Sequence, residues 1–443
     1  MKSTLYLLSI ITAISLSNCT SYDTKVSTTP IPLVQRELDQ ANQGAELNSQ
    51  TANSLSLDQA IARALKNNYK IKAARLNIRA LEATAAQVSR FSNPELAVEI
   101  ENFAGSGPLS GFKSSETTFG IGQLIELGNK RQLRTEVANS KTRKAALEYE
   151  VLRLELVTEV RKTFSRLNAA QARLELTGRL LNLSDQFNAN VDTLVRAGRY
   201  SSAEKARSEV EYQNVRMRRF RAESALRSAR QELAATWGGT GESIGTVSDS
   251  LDIVFTRPSR KTIQTAIENS PTVMLADLEV KAREAESGYA TSLRIPDPTF
   301  STGFRRINET SDRALVAGVS IPIPILNRNR AGIEAARYQQ EQSQQQLYSE
   351  QVAVTRDVGL QLESLDMLGL MMETLSKTII PEAERAYKII NQNYRLGQYG
   401  LIDVIDSQRQ LFDAQLHYLD TRLEYETKII QLEGLLGRSI TTL

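Results

Sequence analysis

Two short segments of this chain match each other, and each follows a long helical pattern. One reads RAGRYSSAE, from Arg196 to Glu204, and the other reads RLGQYGLID, from Arg395 to Asp403. Both place Arg, Gly and Tyr at alternating positions and an acid four residues after the Tyr. They lie about 200 residues apart, far more than the roughly 20–50 residues of a solenoid repeat. The spacing predicts two copies of one large structural unit.

Each half of the chain shows the same order of patterns, namely two short helices, two strands, a long helix and a shorter helix. We predict repeats over residues 55–240 and 259–443, joined by a connector at 241–258. Alternation of apolar and polar residues predicts the strands, at about 95–104, 116–126, 298–306 and 313–322. The predicted fold class is mostly α with a small β part.

The long helical patterns run from about residue 130 to 195 and from about 328 to 395. Helices of sixty-odd residues reach roughly 90–100 Å. An apolar seam with a seven-residue spacing predicts coiled-coil packing, and it consists of Val160, Leu167, Leu174 and Leu181. Pro381 predicts a kink or a break in the second long helix.

The N-terminus carries the pattern of a secretory signal over residues 1–19, with Lys2 before an apolar run. The chain has 1 cysteine, Cys19, and it ends this pattern in the sequence LSNC, which resembles a bacterial lipobox. We therefore predict that Cys19 is acylated, and ordinary signal cleavage near this point is the alternative. Residues 20–54 are rich in polar residues and proline, which predicts a tether.

Composition excludes several function classes. Lys plus Arg number 54 against 51 Asp plus Glu, so no basic field predicts nucleic-acid binding. The chain has 1 histidine, His417, and no cysteine beyond Cys19. A tetrahedral zinc or copper site needs more His and Cys ligands, and no nucleophile–base pair can be assembled. We predict no enzyme activity and no catalytic, cofactor-binding or metal-binding residues.

The strands have about the length that a tilted strand needs to cross a bilayer. One apolar and one polar face is typical of a membrane barrel, although a half-buried soluble hairpin gives the same pattern. If these strands span a membrane, copies of the chain must pool them, because a single-chain barrel needs at least about 8 strands. Three copies would give about 12 strands and leave room for a pore.

The order of elements, the duplication and the paired Gly-x-Tyr turns resemble the TolC-like outer-membrane factors of Gram-negative bacteria. The segment Glu101–Arg131 resembles the branch that serves cobalt-zinc-cadmium and related cation efflux. The resemblance implies a homotrimer with a 12-stranded barrel in outer-membrane lipid and a coiled-coil α-barrel in the periplasm. It also implies a passive exit channel that works with a periplasmic membrane-fusion adaptor and an inner-membrane pump of the resistance-nodulation-division (RND) type.

Two alternatives remain open at this point. The same architecture serves multidrug efflux and type I secretion. A soluble coiled-coil scaffold or adaptor of the cell envelope would have similar helices, with hairpins that serve only for docking.

The resemblance places the two turns, Gly198 and Gly397, at the periplasmic tip. It implies that Asp403 and Asp406 form an acidic ring around the aperture, which favours cations. The alternative is that acids in the first turn of a helix only stabilise its N-terminus.

The resemblance also assigns roles to the Arg and Tyr residues of the two turns. Arg395 and Tyr399 are candidates for contacts that keep the aperture closed, and Arg196 and Tyr200 for adaptor contacts. The alternative for all four is a purely structural role in a helix-ending turn.

Overall fold

The structure is a computed structural model that describes residues 31–36, 39, 54–247, 255–394 and 396–440. The predicted lipidation residue Cys19 and the predicted gate residue Arg395 lie outside the described residues. The fold is mostly helical with few strands, as predicted. No helix in the described ranges is both long enough and apolar enough to cross a membrane.

The helices and strands follow the order of the sequence patterns. The helices are α1 (Leu57–Asn67), α2 (Tyr69–Val88), α3 (Lys130–Arg196), α4 (Ser202–Ala235), α5 (Arg260–Glu268), α6 (Pro271–Ser292), α7 (Arg330–Thr374), α8 (Ile380–Tyr394) and α9 (Leu401–Leu436). The strands are β1 (Ser54–Leu55), β2 (Glu95–Glu101), β3 (Glu116–Leu124), β4 (Thr246–Val247), β5 (Thr299–Ile307) and β6 (Arg313–Ser320).

The described chain forms two compact units, and each unit draws on both halves of the sequence. The strand unit contains Asn77–Ala146 and Val280–Gln342. The helical unit contains residues within Thr29–Leu76, Leu147–Glu279 and Ser343–Leu443.

The strand unit holds a four-stranded antiparallel sheet in the order β2-β3-β5-β6. The register pairs Val98 with Phe119, Phe119 with Phe304, and Phe304 with Leu315, so one face of the sheet is apolar across all four strands. These apolar side chains are exposed, and they are Leu96, Val98, Ile100, Phe119, Ile121, Phe300, Phe304, Leu315 and Val319. The single chain therefore leaves an apolar sheet face uncovered.

Arg305 organises the opposite, polar face of the sheet. Its guanidinium donates to Glu101 on β2, and to Glu116 and Thr118 on β3, each at 2.9 Å. These bonds join strands from both halves of the sequence, and they use all three nitrogens of the planar group.

The helical unit has its largest apolar core where α1, α3 and α4 meet. Phe164 and Leu167 of α3 are fully buried there with Ile61 of α1 and Leu233 of α4. The helix α1 is fixed at its start by a capping box, because Ser56 and Gln59 exchange side-chain and backbone hydrogen bonds of 3.2 and 3.4 Å.

Part of the predicted tether packs on the helical unit. Ile31, Leu33 and Val34 are buried together with Leu154 of α3. The amide of Leu33 donates to the carbonyl of Gly437, just beyond α9, at 3.1 Å. This part of the tether is therefore docked on the helical unit.

The second long helix is interrupted just before Pro381, as predicted. Helix α7 ends at Thr374, a π-helical turn covers Leu375–Ile379, and α8 continues from Ile380. Proline lacks the amide that would continue the hydrogen-bond ladder, so the preceding turn widens. Helix α3, in contrast, is unbroken over 67 residues.

Candidate functional site

The first hairpin turn ends α3 with a Schellman motif centred on Gly198. The Gly198 amide donates to the carbonyl of Val195 and the Arg199 amide donates to that of Leu194, each at 2.9 Å. Gly198 has a φ of +70°, a conformation that glycine adopts without steric penalty. Ser201 then caps α4 and exchanges hydrogen bonds with Glu204.

The second hairpin turn repeats this geometry around Gly397, which has a φ of +77°. The Gly397 amide donates to Tyr394 and the Gln398 amide donates to Asn393, each at 3.0 Å. The repeated Gly therefore has the same backbone role in both turns, since both stop a long helix and let a second helix return.

A charged cluster surrounds Asp192, one turn before the end of α3. Its carboxylate accepts a hydrogen bond from Lys205 of α4 and forms an ion pair with Arg196 at 2.5 Å. The Lys205 hydrogen bond, and then the Arg196 charge, hold the pKa of Asp192 below its usual value. Arg196, a predicted adaptor residue, is thus an exposed side chain paired within its own helix.

An aromatic cluster joins the two hairpins behind their turns. The ring of Tyr394 on α8 stacks on Tyr200 of the first turn at 5.9 Å and contacts Phe187 of α3 at 5.7 Å. Val191, Leu401 and Val404 are the other buried members of this core. Tyr200, predicted as an adaptor contact, therefore packs between the two hairpins of one chain.

Tyr394 is the most buried tyrosine of this cluster, at 6% exposure. Burial, and after it the neighbouring Tyr200, raises the pKa of Tyr394 well above its usual value. Its hydroxyl is buried and makes no hydrogen bond of normal geometry within the described residues. A buried hydroxyl without a partner is uncommon and destabilising.

The two predicted aperture acids lie in the first turns of α9. Asp403 accepts a hydrogen bond from the Gly400 amide at 2.8 Å, which caps the helix. Asp406 accepts from the side chain of Gln410 at 3.1 Å. The structure therefore shows the capping role for Asp403, while the carboxylate of Asp406 is engaged only with a neutral amide among the described partners.

Asp406 also lines an open groove of about 420 Å³ between α4 and α9. An ion pair of 3.1 Å between Glu211 and Arg409 crosses from one helix to the other. Val210 and Ile402 line the groove with exposed apolar surface.

The structure brings together only part of the predicted site. Tyr399 is partly exposed and has no described hydrogen bond or ring contact. Sequence reasoning missed Tyr394 and Asp192, although Tyr394 directly precedes the second matching segment. Within the described ranges, no group of three or more His, Cys, Asp or Glu side chains could hold a metal ion.

Comparison with known proteins identifies the family of this chain. The sequence profile described as outer membrane efflux protein matches residues 60–239 and 262–438, in two stretches that cover most of the chain. The cobalt-zinc-cadmium resistance protein CzcC of Cupriavidus metallidurans is 28% identical over 390 residues, which cover 88% of this chain and 91% of CzcC. The probable outer membrane lipoprotein SilC of Salmonella typhimurium is 22% identical over 98% of both chains.

Solved structures show the same fold. A crystal structure of CusC superposes with a TM-score of 0.74 at 18% identity, covering 88% of this chain and 96% of CusC. The outer-membrane channel OprN superposes with a TM-score of 0.74 at 16% identity, covering 87% of this chain and 90% of OprN. The predicted resemblance is confirmed by these matches. The chain belongs to the outer membrane efflux protein family and is similar to its metal-resistance members.

Proposed function

We propose that this protein is the passive outer-membrane exit channel of a tripartite RND-type efflux system that expels heavy-metal or other divalent cations. The similarity to CzcC, whose name refers to cobalt, zinc and cadmium, supports the cation cargo. In this proposal the inner-membrane pump supplies the energy and selects the metal, and a periplasmic adaptor opens the channel.

The observation that carries the proposal is the incomplete sheet. Its edge strands β2 and β6 have no further partner among the described residues, and one of its faces is apolar and exposed. Unpaired backbone groups are not tolerated in lipid, so the edges must pair with other copies. Because β2 and β6 run in opposite directions, β6 of one copy can pair antiparallel with β2 of the next.

Closure by three copies gives a homotrimer with a barrel of about 12 strands, wide enough for a pore. The exposed apolar face of the sheet then contacts lipid, and the polar face that carries Arg305 lines the water-filled interior of the barrel. The matching order of elements in the two halves supports an internal duplication. Acylation of Cys19 would add a lipid anchor to the outer membrane, with the helices in the periplasm.

The proposed gate is the tip where the two hairpin turns meet. Three copies of Asp403 and Asp406 would concentrate negative charge at the aperture. The stacked rings of Tyr394 and Tyr200 hold the two hairpins of one chain together. Opening of the aperture therefore requires either that this contact breaks or that both hairpins move together.

Cation selectivity in planar bilayers tests the acidic aperture. Asp403→Asn with Asp406→Asn removes the charge but keeps a carbonyl oxygen that can accept the Gly400 amide. We expect lower cation selectivity in the purified channel. Glu382→Gln serves as the matched control, since it removes an exposed charge from α8 outside the α9 pair. Unchanged selectivity in the double variant would contradict the acidic ring.

Two alternatives have separate tests. A role in drug efflux or protein secretion predicts that a deletion strain becomes sensitive to organic compounds, or loses a secreted protein, and keeps its metal resistance. A soluble envelope scaffold predicts extraction without detergent and a mass that corresponds to one chain.

A further inference from the structure

Two arginines lie opposite each other on the apolar face of the sheet, next to the turn that joins β5 and β6. The register pairs Arg306 of β5 with Arg313 of β6. Two residues farther from the turn, Phe304 pairs with Leu315. Because side chains two positions apart on a strand point to the same side, both arginines share the apolar face with these two residues. In agreement, the guanidinium of Arg313 lies 5.9 Å from the centre of the Phe304 ring.

No acidic side chain of the strands offsets this arginine pair. Both arginines are exposed, and neither forms an ion pair within the described part of the chain. The other strand residues on this face are uncharged, whereas Glu101 and Glu116 lie on the polar face and bind Arg305. The acids of the turn, Glu309 and Asp312, form no ion pair with either arginine.

The neighbouring copy supplies no acid either. In the proposed assembly, the strand beside β6 is β2 of the next copy, whose residues on the apolar face are Leu96, Val98 and Ile100. Like charges directly opposite each other across two strands are destabilising, because their Cβ atoms lie only about 4.5–5.5 Å apart. An anion bound between the two guanidinium groups removes this repulsion.

A third basic residue lies in the loop beside the same turn. The Asn308 amide donates to the Ser115 carbonyl at 3.0 Å, and the Asn308 side chain donates to the Ser115 hydroxyl at 2.7 Å. These bonds fix the β2–β3 loop beside the β5–β6 turn. Lys113 of this loop is exposed and has no ion pair among the described residues. The basic character of this end of the sheet therefore extends beyond the arginine pair.

The arginine pair marks the boundary of the apolar face. Along β5, Arg306 lies about 20 Å from Phe300, which is about 15 Å of height for a strand with the tilt of a membrane barrel. Helices α2 and α6 join the opposite ends of β2 and β5. In the proposed orientation, with the helices in the periplasm, the arginine pair therefore lies at the level of the outer-leaflet headgroups.

We propose that the arginine pair binds a phosphate group of the phosphorylated glycolipid that forms the outer leaflet of the outer membrane. The phosphate accepts charge-assisted hydrogen bonds from both guanidinium groups, a geometry that suits arginine. The acyl chains of the same lipid lie on Phe304 and Leu315. The inference rests on the proposed function, because it requires the apolar face of the sheet to contact outer-membrane lipid.

Native mass spectrometry of the detergent-solubilised protein with added diphosphoryl lipid A tests this site. We expect the parent protein to retain lipid A, and Arg306→Gln with Arg313→Gln to bind it about tenfold more weakly, because two charged donors are lost. Arg90→Gln with Arg294→Gln is the matched control, since it removes two exposed arginines from the opposite end of the strands and should bind as the parent does. Unchanged binding by the first variant, or an equal loss in the control, would overturn the site.

Two competitors identify the part of the lipid that is recognised. An excess of inorganic phosphate should leave lipid A bound, because the acyl chains add contacts with the apolar face that a free anion lacks. Complete displacement by inorganic phosphate would assign the arginine pair to a soluble anion instead. Dephosphorylated lipid A should compete poorly, and equal competition would show that the acyl chains alone are bound.

Thermal stability gives a readout that a purely structural arginine would not give. Arg306→Gln removes the repulsion across the strands, so it should raise the unfolding temperature of the delipidated protein in detergent. With lipid A present, the same substitution should lower that temperature relative to the parent protein. A decrease under both conditions would contradict the proposal.

The lipid site and the proposed channel fail in different ways. A detergent-solubilised mass of one chain would contradict the shared barrel itself. A threefold mass with normal conductance, but with no difference in lipid A binding between the parent and the Arg306→Gln, Arg313→Gln variant, would overturn only the lipid site.

Discussion

Replacing Tyr394 by phenylalanine separates the two contributions of this side chain to the hairpin tips. The ring packs between Tyr200 and Phe187, whereas the hydroxyl is buried without a hydrogen-bond partner among the described residues. An unsatisfied buried polar group costs about 1–3 kcal/mol. We therefore expect Tyr394→Phe to leave the free energy of unfolding unchanged or to raise it by about 1 kcal/mol.

Tyr394→Ala removes the ring as well and should lower the free energy of unfolding by about 3–5 kcal/mol. About 0.5–1.5 kcal/mol of that loss should be coupling with Tyr200, measured by a double-mutant cycle with Tyr200→Ala. Denaturant unfolding of the detergent-solubilised protein, followed by tyrosine fluorescence and circular dichroism, gives these values.

The pKa of Tyr394 adds a dependence on pH. Burial raises the pKa of Tyr394 in the folded state, whereas in the unfolded chain the phenol has the ordinary tyrosine pKa of about 10. Below that pH the phenol is neutral in both states, and its contribution to the stability of the folded protein is fully present. That contribution is lost as the pH rises from about 10 towards the raised value. Tyr394→Phe should therefore lose less stability than the parent protein between about pH 9 and pH 11.

Tyr425→Phe is the matched control, since the Tyr425 hydroxyl accepts a hydrogen bond from the Phe255 amide at 3.1 Å. It should lower the free energy of unfolding by about 0.5–1.5 kcal/mol. If Tyr394→Phe destabilises as much as Tyr394→Ala, the hydroxyl has an essential partner in the assembly, and the reasoning from the single chain is refuted.

Three further substitutions have defined outcomes. Gly397→Ala places a side chain in the left-handed region and should lower the free energy of unfolding by about 1–2 kcal/mol, which denaturant titration can measure. Gly303→Ala should prevent formation of the heat-modifiable oligomer on gels, because its Cβ would lie 2.7 Å from the Phe119 carbonyl oxygen and break the β3–β5 pairing; an intact oligomer would contradict this. Asp192→Asn should make stability less sensitive to acid below about pH 4, because the stabilising contribution of a carboxylate with a lowered pKa is lost as the pH falls through that pKa; an unchanged acid profile would show that the Lys205 contact does not matter.

Local patterns in the sequence predicted much of the fold. Alternation over Leu96, Val98 and Ile100 identified a strand face because side chains of a strand point to opposite sides in turn. Gly198 and Gly397 identified the ends of two helices because few other residues adopt a positive φ. These features depend on residues near one another in the chain.

Contacts between distant segments were not predictable in the same way. The stacking of Tyr394 on Tyr200 depends on how one hairpin packs against the other, and the three bonds of Arg305 depend on the register between strands of different halves. The burial of Leu33 was hidden by its polar surroundings, since the groove that holds it is built by residues far away in sequence.

The docking of Leu33 near Gly437 limits how far this point of the chain can lie from a lipid anchor at Cys19. In the proposed lipoprotein, Cys19 and Ile31 are about 12 residues apart, and a chain of that length extends at most about 40 Å. If Cys19 is acylated as proposed, its lipid and the docked Leu33 can be no farther apart than this length of chain allows. Shortening the segment would lower this upper limit, whereas lengthening it would raise it.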